Sequence, residues 1–171
     1  MNWQESEQEL LHVFSDVFQC GGVLCDALSL QYKDIDAVDK RKNTYSIKNQ
    51  PSSGKTGNFA FETHLENSSN GNIIDGSFLK CQADYYVIFR EYRNVDWCYI
   101  IPTDCIKTLV LNGDYRKVTT RVETEQASNQ GRTYNRGHCI LTPVQDVYFH
   151  PSCIVMVKTD KGWRIHNKVK K

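Results

Sequence analysis

Apolar positions in WQESEQELLHVFSDVFQ (residues 3–19) place Leu10, Leu11, Phe14, Val17 and Phe18 on one face at helical spacing. The spacing predicts an amphipathic helix stopped by Gly21-Gly22, with Glu5, Glu7 and Glu9 early, where the helix dipole favours acids. From residue 28 the period shortens. LSLQYKDIDAVD (28–39) alternates and predicts a strand with Asp34 and Asp36 on one side, followed by a polar turn at 39–43. Residues 45–50 alternate again, with Ser46, Lys48 and Gln50 on one side, so the two runs predict a β-hairpin. After the loop PSSGKTG, the segment NFAFETHLE (58–66) sets Phe59, Phe61, Thr63 and Leu65 against Ala60, Glu62, His64 and Glu66, a third strand expected to extend the hairpin into a meander.

The turn-rich segment 67–76 precedes a short helix expected at 77–82. ADYYVIF (83–89) has the continuous apolar character of a strand buried on both faces, and WCYII (97–101) predicts its neighbour. Pro102-Thr103-Asp104 starts a helix that Asn112-Gly113 ends. Residues 119–137, TTRVETEQASNQGRTYNRG, carry no clear period and are expected to form a long loop, a class usually functional or disordered. Strand-like runs follow at 139–142 and 153–158, then a basic tail.

Composition narrows the function classes. A chain of 171 residues is one domain by the usual prior of about 100–200 residues each, here with an appendage. Its apolar fraction of 40% and charged fraction of 24% are those of a globular protein. There is no run of about 18 apolar residues, so no transmembrane helix is expected. The acidic start MNWQESEQELL is unlike a secretory signal. The seven cysteines, with no C-x-x-C pair, are expected to be reduced thiols of a cytoplasmic protein. His150 and Cys153 have a zinc-site spacing, but adjacent His138-Cys139 suit a tetrahedral ion poorly, and buried apolar-like thiols are expected instead.

The net charge of +1 is a sum of unlike parts. Residues 1–115 hold 10 basic and 16 acidic side chains, and residues 116–171 hold 11 basic and 4 acidic. An acidic part suits a cation, and a basic part suits a polyanion.

The predicted strands bring Asp36, Ser46, Lys48, Gln50, Glu62 and His64 toward one sheet face. Carboxylates beside a lysine suit metal-assisted phosphodiester cleavage. Hard oxygens hold Mg²⁺, a bound water loses a proton more readily, and an ammonium stabilises the extra negative charge of the transition state.

Through DIDAVDKRKNTYSIKNQ, KTGNFAFE, ADYYVIF and YIIP, the chain resembles the PD-(D/E)xK nuclease superfamily, and more closely its phage-encoded members. The resemblance runs from the first helix to about residue 111. It implies an α/β (α+β) fold with a restriction-endonuclease-like core, in which helices flank a mixed central sheet. That core would occupy residues 1–115, with 116–171 a basic C-terminal extension packed on or extending it. It implies a Mg²⁺- or Mn²⁺-dependent DNA endonuclease, phage-encoded or mobile-element-encoded, acting on DNA in the cytoplasm of a bacterial or phage-infected cell. A homodimer is expected by analogy.

The family's first acid maps to Asp36, with Asp34 as fallback, and its lysine maps to Lys48. Ser46 stands where the second acid belongs, and Glu62 on the neighbouring strand is its expected replacement. Asp36 and Glu62 would hold the metal and Lys48 would activate the water. Glu9 and Gln50 are further candidates, and Arg121, Arg132, Arg136 and Lys168 are expected to contact phosphates. The alternative expectation, motivated by Ser46, is a catalytically decayed nuclease fold that binds DNA or inhibits a host protein.

Overall fold

The computed structural model of the chain describes residues 3–25, 28–67, 70–124 and 133–166. The first part of the chain contains α1 (Trp3–Asp16), β1 (Gly22–Leu24), α2 (Leu28–Gln31), β2 (Ala37–Asp39), β3 (Thr44–Asn49) and α3 (Ser53–Thr56). Next come β4 (Asn58–Asn67), β5 (Ile73–Asp75), α4 (Ser77–Lys80), β6 (Tyr85–Tyr92), β7 (Val95–Pro102) and α5 (Thr103–Asn112). The rest comprises β8 (Arg116–Thr124), β9 (Thr133–Pro143), α6 (Val144–Phe149), β10 (Ile154–Thr159) and β11 (Gly162–Ile165).

The strands form two sheets. One has the order β1-β2-β3-β6-β7-β10-β11 and the other β5-β4-β9-β8. All pairings are antiparallel except β3 with β6, which run parallel with Tyr45 opposite Tyr85 and Asn49 opposite Phe89. A mixed sheet flanked by helices agrees with the α/β (α+β) class that the resemblance implies.

Both faces of the larger sheet are buried. On one, α1 lays Leu10, Val13 and Phe14 over Ala37, Tyr45, Ile47, Val87, Phe89 and Trp163. The other carries Tyr86, Ile88, Tyr99 and Ile101. It is covered by Phe59 and Phe61 of β4, Ile140 of β9, Phe78 of α4, Ile106 and Val110 of α5, and Val147 of α6. This two-sided burial explains why β6 reads as a continuous apolar run. Each such side chain contributes roughly 1.5–3 kcal/mol when fully buried. Phe61, Phe78 and Tyr86 meet at ring-centroid separations of 4.8–5.9 Å and join β4 and α4 to the central strand.

Five expectations are corrected. Residues 28–39 are not one strand: they form the single turn α2, a bend in which Asp34 has φ of 56°, and the short β2. An aspartate tolerates that left-handed conformation better than most residues. The segment 58–66 is a strand, but it belongs to the second sheet, because a parallel β3–β6 pair obliges the intervening chain to leave the sheet. Within the supposed loop 119–137, residues 119–124 and 133–137 are paired strands of β8 and β9, in which Thr119 and Thr120 supply β-branched side chains suited to a strand, and residues 125–132 lie outside the described residues. The segment before the basic tail forms β11 against β10. Residues 116–166 therefore supply strands to both sheets. Gly22 lies in β1 rather than at a helix stop, and a Cβ there would strike the Phe14 ring.

The turn joining β2 to β3 is organised by the buried Asp39. Its carboxylate accepts hydrogen bonds from the backbone of Arg41 (2.8 Å) and Asn43 (2.9 Å), the Asn43 amide (2.9 Å) and the Tyr45 hydroxyl (2.9 Å). Burial alone would raise its pKa, but these bonds outweigh burial and hold it below the ordinary value of 3.8. Asp39→Ala should lower stability by about 1–3 kcal/mol in urea unfolding at neutral pH. Because the folded-state pKa is depressed, this contribution is present above the unfolded value and is lost as pH falls through the folded one. The difference between wild type and variant should therefore shrink below pH 3.8.

Candidate functional site

The bend before β2 and the parallel strands β3 and β6 assemble a charged cluster under the cover of α4. Asp34, turned inward by its left-handed backbone, accepts a hydrogen bond from Ser46 Oγ at Oδ2 (2.7 Å) and from Lys48 Nζ at Oδ1 (2.6 Å). Ser46 is fully buried, and the Asp34 and Lys48 side chains are each only 16% exposed, so this ion pair is shielded from water. The serine at the motif-acid position is thus bonded to a carboxylate that arrives from a neighbouring bend.

Asp36 lies just ahead of β2 and accepts the Ile47 N–H at 2.6 Å, extending the β2–β3 ladder with a side chain. Burial is the main influence on Asp36 and raises its pKa above 3.8; the Ile47 hydrogen bond and Lys48 oppose it, while the charges of Asp34 and Glu7 add to it. Among the described residues no hydrogen bond reaches its Oδ1.

Tyr86, opposite Ser46 across the parallel pair, forms the floor. Its hydroxyl is held well above its ordinary pKa, first by burial and then by the charges of Asp34, Cys81, Asp36 and Glu62. Three carboxylates therefore act on one buried hydroxyl. The Lys48 ammonium stands 5.9 Å from the centre of the same ring. The Cys81 thiol is also raised, chiefly by burial, and touches the Asp34 carbonyl at 3.9 Å.

Glu62 reaches this region from the other sheet, which corrects the expectation that it shares a face with Asp36 and Lys48. Its Oε1 accepts the Ser77 N–H at 3.3 Å, and Gly76 leaves room for it: a Cβ there would come within 2.9 Å of Glu62 Cγ.

The remaining candidates lie elsewhere. Glu9 is committed on the opposite side of the larger sheet, where Lys158 Nζ (2.6 Å) and Trp163 Nε1 (2.8 Å) both donate to it. The helix acid that acts on Asp36 is Glu7. Gln50 forms a two-bond clamp with the Ala60 backbone, at 2.8 and 2.7 Å, and so ties the end of β3 to the edge of β4. Arg136 is exposed and pairs with Glu66 at 3.8 Å on the second sheet, where Glu66 also meets His138 Nε2 at 3.0 Å. Arg121 is on β8, and its side chain lies outside the described residues, as do Arg132 and Lys168. All seven cysteines are free thiols.

Sequence reasoning missed Tyr86, Cys81 and Glu7. Tyr86 carried a usable signal: in a buried parallel strand it is the residue whose hydroxyl needs polar surroundings.

Among the described residues no group of three or more His, Cys, Asp and Glu side chains is arranged to hold a metal ion. No helix among them is long and apolar enough to cross a membrane. Scans against protein-family models, curated proteins and solved structures give no match to this chain.

Removing one member of the shielded pair leaves its partner's charge uncompensated. A double-mutant cycle on Asp34→Asn and Lys48→Met, read by urea unfolding, should show each single change to be destabilising and a coupling of about 1–3 kcal/mol.

Proposed function

We propose that the chain is a Mg²⁺- or Mn²⁺-dependent DNA endonuclease of the PD-(D/E)xK type, with Asp34, Asp36, Lys48 and Glu62 as its site. The observation that carries this reading is the Asp34–Ser46–Lys48 cluster beside Asp36. A carboxylate reaches the side of the lysine despite the serine in the motif. The element order also supports it: helix α1, the β2–β3 hairpin, strand β4, helix α4 and strand β6 follow in the order the resemblance implies, with β4 in the second sheet.

The donor set suits a hard cation. Asp36 Oδ1 and Glu62 Oε2 accept no hydrogen bond among the described residues, and burial together with the charges of Asp34 and Glu7 makes a lone Asp36 carboxylate unfavourable. Mg²⁺ commonly takes only one or two carboxylates and fills its shell with water and substrate phosphate oxygens. When bound, the ion would neutralise phosphate charge and lower the pKa of a water. Asp36 and Glu62 would hold it. Asp34 positions Lys48, whose ammonium can orient the attacking water and stabilise charge developing on phosphorus. Ser46 keeps Asp34 from turning away. The basic side chains of residues 116–171 would supply sequence-independent, salt-sensitive phosphate contacts. A cytoplasmic site of action, in a bacterial or phage-infected cell, belongs to the same reading.

Ser46 favours a second reading, a decayed nuclease that binds DNA or a host protein without cutting. Asp34, with both oxygens engaged by Ser46 and Lys48, is then a structural replacement for the missing acid.

Cleavage of plasmid, branched and single-stranded DNA, with matched RNA alongside, tests the first reading. Activity should require Mg²⁺ or Mn²⁺, and Lys48→Ala, Asp36→Asn and Glu62→Gln should each lower it by about 100-fold or more. Variants that cut as well as wild type would overturn the assignment. A gel shift without calorimetric Mg²⁺ or Mn²⁺ binding would select the decayed module.

A further inference from the structure

The larger sheet bears a second built site, on the stretch of β6 and β7 beyond Ile88 and Tyr99. Arg90 is 6% exposed, yet among the described residues no carboxylate lies within ion-pairing distance of it. Its Nε is buried without an acceptor. Directly across the strand pair stands Trp97, whose indole Nε1 is likewise buried without an acceptor. A guanidinium without a counter-charge and an indole N–H without an acceptor are each costly to bury. They stand side by side on one face of one sheet.

Both residues line a cavity of about 470 Å³. Its walls include Tyr92 and Tyr99, two residues along from Arg90 and Trp97 on the same face, and Tyr148 and Phe149 from α6. Tyr92 and Phe149 are 39% and 43% exposed, placing aromatic surface at the rim. The Arg90 guanidinium lies 4.9 Å from the Tyr92 ring centre, and among the described residues no acid pairs with it. Rings for stacking and a fixed positive charge suit a flat ring bearing a negative group.

We propose that this cavity binds a planar aromatic anion, the ring packed among the tyrosine and phenylalanine side chains and the anionic group held by the Arg90 guanidinium. Nucleoside monophosphates and aromatic carboxylates share this chemistry. The site stands apart from the Asp34–Lys48 cluster and does not depend on the cleavage reading.

Calorimetry on the full chain tests it with nucleoside 5′-monophosphates and, in a second arm, benzoate and indole-3-acetate. At least one arm should bind, with quenching of Trp97 fluorescence, and the responding arm identifies the source of the ligand. The uncharged nucleoside, orthophosphate and acetate should each bind at least about 10-fold more weakly. Arg90→Met should abolish binding, while Trp97→Phe, which keeps a ring on the cavity wall, should leave it nearly unchanged. Arg90→Met should melt at the same temperature as wild type or higher, because it removes an uncompensated buried charge. The proposal is overturned if neither arm binds to the folded protein or if binding survives Arg90→Met unchanged. It is also overturned if Arg90→Met markedly lowers the melting temperature, which would assign Arg90 to holding up the fold.

Discussion

One parallel pairing governs this structure. Because β3 and β6 run the same way, the chain cannot return by a tight turn and must cross over. The crossover occupies residues 50–84 and is not a single helix but α3, β4, β5 and α4. It folds back over the face carrying Ser46, Lys48 and Tyr86, buries Phe61 and Phe78 against Tyr86, and brings Glu62 with it. The core on that face, the shielding of the Asp34–Lys48 pair and the second sheet all follow from where this excursion lies.

What was legible in the sequence was what local pattern determines. The amphipathic face of α1, the alternation of β3 and β4, the apolar run of β6 and the punctuation around α5 all correspond to elements in the structure. What escaped depends on partners distant in sequence. Alternation marked 58–66 as a strand but could not say that its partner is β9. Asp34 and Asp36 were legible as a close pair, yet Asp34 reaches Lys48 only through a left-handed bend that a strand reading cannot contain. The orphan donors of Arg90 and Trp97 were invisible for the same reason: the lack of a partner is a property of the folded surroundings.

Both polar regions of the larger sheet store unfavourable electrostatics. Burial and two like charges raise the pKa of Asp36, and Arg90 is buried without a counter-ion among the described residues. Natural proteins retain such groups where function requires them, at some expense of stability. The contrast with Asp39 is instructive, since that carboxylate receives four hydrogen bonds in a turn and its burial is compensated.

The placement of β4 between β5 and β9 has a kinetic consequence. The Thr63 hydroxyl bonds the His138 carbonyl across 75 residues of chain. The helix α1 is similarly tied to β11, where Glu9 meets Trp163 across 154 residues. Such distant contacts come at a high loop-closure entropy and slow the search for the native state. The local β2–β3 turn and the β6–β7 hairpin can form early, whereas the strand that delivers Glu62 is secured only when β9 has docked. During synthesis, the acidic cluster would therefore remain open until β9 had emerged.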